Sequence, residues 1–435
     1  MSRPLTYLTL VVAVAAAIMF WSGKAFRPEA EIFWPTYDAD ATGTLAVSLP
    51  GGAFQLERSA GAWFVRLPGV EPALRADAQR VDALLSFLAH NRPLRRLERA
   101  EDSGLESPRA TLTVNGGPVL ALGAEVSGNE GVYASLGPLG GAEGQLLVLS
   151  VRFVEILSRP ASYYYDLRPL AVEPRQVVRV ALEGLGGESW EVDRSKGDEF
   201  TRPEPLAGAK AEGGKLDQYL HEALGVHIAD MAPEASVEGL DTRLELSVWT
   251  AGNVTPRTLR VFVRSGGEGP WLAASSWQPS PFLLDRERLE DLSVSSFLLL
   301  DRRVVILDLD TVKRLVLTRG ERRLAAHRNG EGWKSDSGGQ GLVGIDMALW
   351  RLTELKYEFE PVPASPATAQ RELELELLDD QGDLALRLIF YADPALPEGL
   401  MWVRPGDGPC YPVQDALLSD LAGRLPAPAE GSAAN

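Results

Sequence analysis

The sequence predicts an α+β protein in which an N-terminal transmembrane helix precedes three tandem repeated domains, each an antiparallel sheet with helices packed on one face. Three observations lead to this prediction. An uncharged apolar segment stands close to the N-terminus. A hairpin pattern recurs three times along the chain. Each hairpin is followed by a helical apolar pattern and then by strands of alternating polarity.

The apolar segment "LTYLTLVVAVAAAIMFW", residues 5–21, predicts a membrane anchor. It has 17 uncharged residues, which rise about 25 Å as a helix, at the short end of what spans a bilayer. Phe20 and Trp21 take the place of an interfacial aromatic belt. A cleaved signal peptide remains the alternative, because small-residue triplets occur at residues 13–17. A retained anchor is favoured, since cleavage there leaves residues 18–21 without a role.

The anchor sets the predicted location. Charges on the two sides of the segment give no clear orientation by the positive-inside rule, with Arg3 before it and Lys24 and Arg27 after it. The position of a signal anchor favours a cytoplasmic N-terminus. We therefore predict a single-pass protein of the bacterial inner membrane with the bulk of the chain in the periplasm. The lone Cys410 excludes an internal disulfide framework.

Composition and charge narrow the classes of partner. The chain has 435 residues, of which 45% are hydrophobic and 24% charged, as in folded globular proteins. Its net charge of −17 predicts repulsion from a nucleic-acid duplex and from an anionic membrane surface. We predict no nucleic-acid partner.

The recurring hairpin is written "FQLERSAGAWFVRLP", "WEVDRSKGDEFTRP" and "LAAHRNGEGWKSD". The arginines of successive copies lie 136 and 134 residues apart, which indicates tandem domains rather than a solenoid. We expect the aromatic side chain to pack inward under a helix and the arginine to lie solvated on the alternate face. A ligand platform made by the tryptophans is the alternative. The repeat markers are Arg58 with Trp63, Arg194 with Phe200, and Arg328 with Trp333.

Each repeat continues in the same order. A helix follows the hairpin, with apolar residues spaced i, i+3, i+4 and i+7 or i+8. Alternating strands come next, as in "RELELELL", which predicts a sheet with one wet face. A short helix closes each repeat. The predicted apolar helix positions are Val81, Leu84, Leu85 and Leu88, then Leu216, Tyr219, Leu220 and Leu224, then Ile345, Leu349 and Leu352.

These patterns predict the domain boundaries. We expect the anchor at residues 1–27 and the three repeats at 28–170, 171–305 and 306–425. The tail, 426–435, is small, polar and Pro-containing, which predicts disorder.

Catalytic patterns are absent from the sequence. The histidines are spread over three repeats, so none is expected beside a nucleophile. The spacing of "HEALGVH" is not that of a zinc helix. "GAKAEGGKL" has Ala209 where a phosphate loop needs its first glycine, and Leu216 follows Lys215 in place of Ser or Thr. We predict no enzyme, cofactor or metal site. The histidines are His90, His221, His227 and His327.

Two acidic clusters and one tyrosine run also attract attention. Asp308 and Asp310 are expected on one face of a strand, and "DDQGD" (residues 379–383) in a hairpin turn with Gly382 at positive φ. Tyr163, Tyr164 and Tyr165 are expected in an extended stretch that links the first two repeats and leaves at least one ring exposed. A partner or glycan contact through these rings is the minority interpretation.

The first repeat resembles a known family. The motifs are Trp63 in its hairpin, "RADAQRVDALLSFL", "SGLESPRATLTV", "LALGAEVSGNEGVYASL" and "YYYDLRPL", over about residues 53–170. In this order they are similar to domain-of-unknown-function family 4340, membrane-anchored envelope proteins often encoded beside gliding-motility-type ABC transporter components. The second repeat lacks the tryptophan, and the third lacks the Gly-Leu strand start. The family offers no catalytic residues to transfer.

The resemblance implies a membrane-tethered array of extracytoplasmic domains that assists an ABC-type export system. We therefore expect a scaffold or binding protein with a protein partner in a transport complex. Two alternatives stay open. One is an envelope carbohydrate-binding protein that uses exposed aromatic rings, and the other is a hydrolase with paired carboxylates.

Overall fold

The computed structural model describes residues 32–35, 37–128, 130–137, 144–184, 189–201, 209–263, 270–330, 332–338 and 341–425. These residues form three antiparallel sheets with few helices, which confirms the predicted sheet domains at this level. The predicted anchor at residues 5–21 and the tail at 426–435 lie outside the described residues. Within the described part of the chain, no helix combines the length and apolar character that crossing a bilayer requires.

The first sheet has nine strands in the order β4-β3-β2-β1-β6-β7-β8-β9-β5. The two-residue turn between β2 and β3 has Ala60 at φ 48° and Gly61 at φ 79°, the positive values that such a tight hairpin requires. The strands are β1 (Thr44–Leu49), β2 (Gly52–Ser59), β3 (Ala62–Arg66), β4 (Leu74–Arg75), β5 (Arg95–Leu97), β6 (Ala110–Val114), β7 (Val119–Glu125), β8 (Val132–Gly137) and β9 (Gln145–Leu149).

The second sheet has eight strands in the order β12-β11-β10-β14-β15-β16-β17-β13. They are β10 (Val177–Gly184), β11 (Ser189–Asp193), β12 (Glu199–Phe200), β13 (Asp230–Met231), β14 (Thr242–Thr250), β15 (Arg257–Phe262), β16 (Trp271–Ser275) and β17 (Phe282–Leu284).

The third sheet has eight strands in the order β21-β20-β19-β18-β22-β23-β24-β25. They are β18 (Arg314–Arg319), β19 (Arg322–Asn329), β20 (Gly332–Ser335), β21 (Gly341–Leu342), β22 (Gln370–Leu378), β23 (Leu384–Ala392), β24 (Leu400–Pro405) and β25 (Tyr411–Gln414).

The three sheets share one central strand order, and the first two carry an additional outer strand, β5 and β13 respectively. In each, an opening meander is followed by a helix, and the next long strand pairs with the first strand of the meander. These central pairs are β1 with β6, β10 with β14, and β18 with β22. The second half of each sheet then continues as a meander.

Helices occupy the two positions that the sequence predicts in each repeat, one after the hairpin and one at the end of the sheet. Helices α1, α3 and α6 follow the opening meanders, and α2, α4 and α7 close the sheets. Short 3₁₀ turns occupy Ala161–Tyr164, Pro174–Gln176 and Arg194–Lys196. The helices are α1 (Ala78–His90), α2 (Arg152–Leu157), α3 (Gly213–Leu224), α4 (Arg288–Leu292), α5 (Ser296–Leu299), α6 (Ile345–Thr353) and α7 (Ala416–Ala422).

The apolar helix faces pack as the periodicity predicts. Asp77 caps α1 by accepting hydrogen bonds from the backbone N–H groups of Gln79 and Arg80. The four predicted positions of α1 are its buried residues, and they join the core of the first sheet. In α3, Leu224 is only half-buried, and Ala223 takes the buried place one residue earlier. The buried face of α6 also includes Ala348.

The chain divides into two compact units. One contains residues 1–191 and 217–293, with the first sheet and most of the second. The other contains residues 192–216 and 294–435, with the third sheet. The strands of the three sheets all fall inside the three predicted repeat ranges.

Three local predictions are wrong. Asp308 and Asp310 lie in no strand, because the Asp308 carboxylate accepts the backbone N–H of Asp310 and closes a turn. The wet face of β22 is incomplete, since Glu374 is only 8% exposed. Its carboxylate is held by ion pairs with Arg371 and Arg387, which make its burial possible.

The third error concerns the hairpin arginines, predicted on the face opposite the aromatic ring. Arg58 stands directly across from Trp63 in the register, and Arg328 across from Trp333. Directly opposed residues of antiparallel strands share a face. The Arg328 guanidinium carbon accordingly lies 5.8 Å from the centre of the Trp333 ring.

Candidate functional site

The tyrosine run adopts a 3₁₀ turn, so the predicted extended conformation is wrong. Tyr164 is 2% exposed and packs in the core of the first sheet, where burial raises its pKa to about 12. Tyr163 and Tyr165 are half-buried. The expectation that at least one of the three rings is exposed is therefore wrong. The Arg159 guanidinium carbon lies 4.2 Å from the centre of the Tyr163 ring and that of Arg80 lies 5.0 Å away.

The segment after this turn covers the open edge of β4. The backbone N–H of Asp77 donates to the Tyr164 carbonyl at 2.8 Å, and that of Asp166 donates to the Arg75 carbonyl at 2.9 Å. Ala76 and Tyr165 form an antiparallel bridge between these bonds. An edge strand exposes unpaired backbone groups, so this pairing satisfies them.

The same arrangement recurs 135 residues later in the other compact unit. Ala211 forms a bridge with Leu300, and the backbone N–H of Glu212 donates to the Leu299 carbonyl at 2.8 Å. The N–H of Asp301 donates to the Lys210 carbonyl, also at 2.8 Å. We call these two structures the edge clamps; the first comprises residues 75–77 with 164–168, and the second 210–212 with 299–303.

Each edge clamp ends in an Asp-x-Arg pair. The Asp166 carboxylate accepts from Nε of Arg168 at 2.9 Å and from its Nη2 at 3.1 Å. Asp301 accepts from Arg303 in the same forked way, with Nη2 at 2.6 Å. The hydrogen bond from Arg303 lowers the pKa of Asp301. Sequence reasoning missed these pairs, although their 135-residue recurrence was visible.

The first edge clamp also holds the connection between β16 and β17. Asp166 is 2% exposed, and its Oδ2 accepts the indole N–H of Trp277 at 2.9 Å. Gln278, also 2% exposed, donates through its amide to the Asp166 carbonyl at 2.6 Å. Its Oε1 accepts the backbone N–H of Arg75 at 3.1 Å. One buried amide thus joins the edge of the first sheet to the second.

Two guanidinium groups enclose the Trp277 ring. The guanidinium carbons of Arg75 and Arg257 lie 3.4 and 4.2 Å from its centre. Burial lowers the pKa of both arginines. Arg257 also donates from Nη1 to the carbonyls of Leu170 and Ala171, each at 2.7 Å. These contacts hold the linker between the first two sheets in place.

The second edge clamp borders an open cleft of about 350 Å³. Glu212 lies 3.3 Å from the Lys356 ammonium and 3.2 Å from that of Lys215. Glu354 also lines the cleft, which therefore carries charges of both signs. Lys215, the residue that suggested a phosphate loop, is engaged by this carboxylate.

The hairpin aromatic residues lie in the cores. Trp63 and Trp333 are 4% and 2% exposed, and Phe200 is 1% exposed. The middle hairpin differs from the others because Arg194 starts a 3₁₀ turn in place of a tight reversal. A tryptophan is nevertheless present there one strand earlier, since Trp190 is fully buried and packs edge-on against Tyr219.

The remaining candidates are not brought together. His90 bonds the Ser86 carbonyl within its own helix, and His227 contacts the Gly225 carbonyl. His327 pairs with Asp336 at 2.7 Å on the surface of the third sheet. His221 is exposed on α3. Among the described residues, no group of three or more His, Cys, Asp or Glu side chains is placed to hold a metal ion.

The "DDQGD" turn forms as the sequence predicts. Asp379 accepts the backbone N–H groups of Gln381 and Asp383, each at 2.9 Å, and Gly382 has φ 85°. Asp380 lies in the same exposed turn. The carboxylate of Asp379 is thus used to shape the turn.

The comparison with known proteins covers part of these features. No curated protein matches the sequence. One family model does, and its range starts after the first hairpin, includes α1, the tyrosine turn and α3, and ends at the start of β14. It thus omits Trp63, one of the motifs behind the resemblance, and reaches beyond the first repeat. Residues 70–243 match the family described as Domain of unknown function (DUF4340), which confirms the resemblance seen in the sequence.

Proposed function

We propose that this protein is a membrane-anchored extracytoplasmic scaffold or binding protein, held by a helix at residues 5–21 and acting as an accessory to an ABC-type transport or export system. Its three sheet domains are diverged copies of one module, and their helices cover one face of each sheet. The chain does no catalysis itself. The bulk of it lies in the periplasm.

The observation that carries this proposal is the pair of edge clamps. In both, a forked Asp-x-Arg pair stands where a segment closes a sheet edge, and in the first a buried amide joins the same structure. Polar groups of a catalytic or ligand site are instead expected to converge on a cleft. Backbone pairing at a sheet edge stiffens the module and blocks unwanted strand addition. Modules closed in this way suit a protein that binds a partner outside a membrane.

Crosslinking in cells followed by purification of the full chain from membranes tests this function. We expect subunits of a transport complex to be captured. Purified intact protein that captures no transporter subunit, even after crosslinking, contradicts the proposal. The same purification on a chain with Gln278→Met asks whether capture depends on the brace at the first edge clamp.

The carbohydrate-binding alternative depends on the tyrosine run, and the second edge clamp argues against it. Residues 298–300, which take the place of the tyrosines there, are all leucine. The second clamp therefore forms without aromatic rings or hydroxyl groups at these positions. A glycan-array screen comparing the native chain with Tyr163→Ala and Tyr165→Ala separates the alternatives, since loss of a glycan signal in these variants supports carbohydrate binding.

A further inference from the structure

The outermost strand β5 of the first sheet lies within a short basic stretch, residues 92–99. Residues 92–99 contain four arginines and one glutamate, in a chain with net charge −17. All four arginines are exposed. We call this surface the basic edge; its arginines are Arg92, Arg95, Arg96 and Arg99.

Most of this charge is unneutralised. Arg95 pairs with Glu130 at 3.1 Å. Within the described ranges, Arg92, Arg96 and Arg99 have neither an ion pair nor a side-chain hydrogen bond. Leu94 lies among them and is 57% exposed, an unusual place for a large apolar side chain. Besides Glu130, the acidic residues nearby are Glu98, which lines the same cleft as Arg95 and Arg96, and Glu101 and Asp102, which follow Arg99 in the sequence.

The chain reaches the basic edge directly from its N-terminal side. Ile32 lines the cleft of about 520 Å³ formed with Leu94 and strand β5. Trp34 fixes this approach, because its indole N–H donates to the Leu88 carbonyl at 3.3 Å and its ring packs edge-on against Phe153. Ten residues, 22–31, separate Ile32 from the predicted anchor. Fully extended, they span at most about 35 Å.

We propose that the basic edge contacts the anionic phospholipid headgroups of the membrane that holds the protein. This inference rests on the proposed anchor at residues 5–21. Guanidinium groups bind phosphates through paired N–H donors, and the exposed Leu94 can insert between headgroups. The remaining surface carries the excess negative charge and is repelled by the same lipids. Attraction at one edge and repulsion elsewhere orient the first sheet on the bilayer.

A simpler role for these arginines is protection of the edge strand, since charged side chains discourage pairing with another chain. That role is independent of lipid composition. Attraction to anionic lipid depends on the lipid composition. It also depends on salt, because screening shortens the range of the attraction to about 3 Å at 1 M ionic strength.

The test uses the full chain in nanodiscs, with arginine labelling by phenylglyoxal read by mass spectrometry. One set of discs contains phosphatidylcholine alone, and the other contains phosphatidylglycerol at about one lipid in three. We expect the peptide with the basic edge to label at least about fivefold more slowly in the anionic discs, the factor typical of one arginine near an anionic surface. In 1 M salt the difference disappears.

A charge variant and a matched control complete the design. The variant is Arg92→Gln/Arg96→Gln/Arg99→Gln, with Arg95 kept as the reporter. Its Arg95 is expected to label equally in both kinds of disc. The control removes the same charge at three exposed sites elsewhere and keeps the lipid dependence of Arg95; it is Arg175→Gln/Arg323→Gln/Lys334→Gln.

The outcomes separate this inference from the proposed function. A native chain that stays with the discs but labels equally in both lipids overturns the lipid contact and leaves the anchor intact. A control variant that loses the lipid dependence also overturns it, because total charge would then explain the effect. A chain that does not remain with the discs overturns the anchor, and the lipid contact with it.

Discussion

Gln278 offers the sharpest perturbation of the first edge clamp. Its side chain is 2% exposed and makes both of its protein hydrogen bonds to backbone groups, the Arg75 N–H and the Asp166 carbonyl. Gln278→Met keeps the length and approximate volume of the side chain but removes both hydrogen bonds. A buried backbone group left unpaired costs about 1–3 kcal/mol. We expect the variant to lose about 2–4 kcal/mol in total.

Amide hydrogen exchange measures this loss of stability at the Arg75 N–H itself. The Arg75 N–H donates directly to Gln278, so its protection reports the broken bond. A local loss of about 2 kcal/mol corresponds to about 30-fold faster exchange. The measurement uses the full chain in detergent and follows the peptide that contains residues 74–77.

The matched control is Gln414→Met. Gln414 is exposed, and its amide donates only to the Glu358 carboxylate at 3.2 Å. Surface changes of this kind usually alter stability by less than about 0.5 kcal/mol. Unchanged exchange at Arg75 in the Gln278 variant, or an equal effect in the control, refutes the reasoning that this amide braces the edge.

Three further predictions concern the other compact unit. Asp346 accepts from the buried indole N–H of Trp333 at 2.9 Å, so Asp346→Ala should cost about 1–2 kcal/mol in urea unfolding and Asp346→Asn much less; equal losses contradict this. Cys410 is fully buried with its pKa raised by burial, so thiol reagents should modify it only after unfolding, and rapid native labelling contradicts this. The lowered pKa of Asp301 beside Arg303 adds stability that is complete above about pH 5 and is lost as the pH falls through about 4 towards the folded pKa; Asp301→Asn should lose less stability on acidification, and an identical acid profile is the contrary result.

Much of the fold follows from periodicity and spacing. The apolar residues of α1 predict its buried face because their spacing places them on one side of the helix. The hairpin around Ala60 and Gly61 is local, and so is the "DDQGD" turn. Elements set by neighbours in sequence are therefore accessible without coordinates.

The error at the tyrosine run and the missed Asp-x-Arg pairs come from pairings between distant segments. The tyrosine run reads as extended by alternation, yet the pairing of Tyr165 with Ala76 requires a turn just before it. Asp166 and Arg168 look like ordinary loop charges until Trp277 is placed beside them, more than a hundred residues away. The face on which Arg328 lies could be predicted from the sequence, because a two-residue turn puts residues five apart directly opposite each other.

The net charge of the whole chain does not reveal the basic edge. A net charge of −17 directs attention to the acidic surface, whereas residues 92–99 form a local exception. Only the sheet order shows that they occupy an outer strand, and only the position of Ile32 shows that the chain arrives there from its N-terminal side.

The proposed function depends on a retained N-terminal helix that tethers the sheet domains outside the bilayer. Expression of the full chain in bacteria, with mass measurement of the membrane-extracted protein and protease treatment of spheroplasts, tests it most directly. We expect a carbonate-resistant chain of full mass, 47.1 kDa, that external protease degrades. A chain shortened at residues 13–17, released by carbonate, or protected from external protease contradicts it.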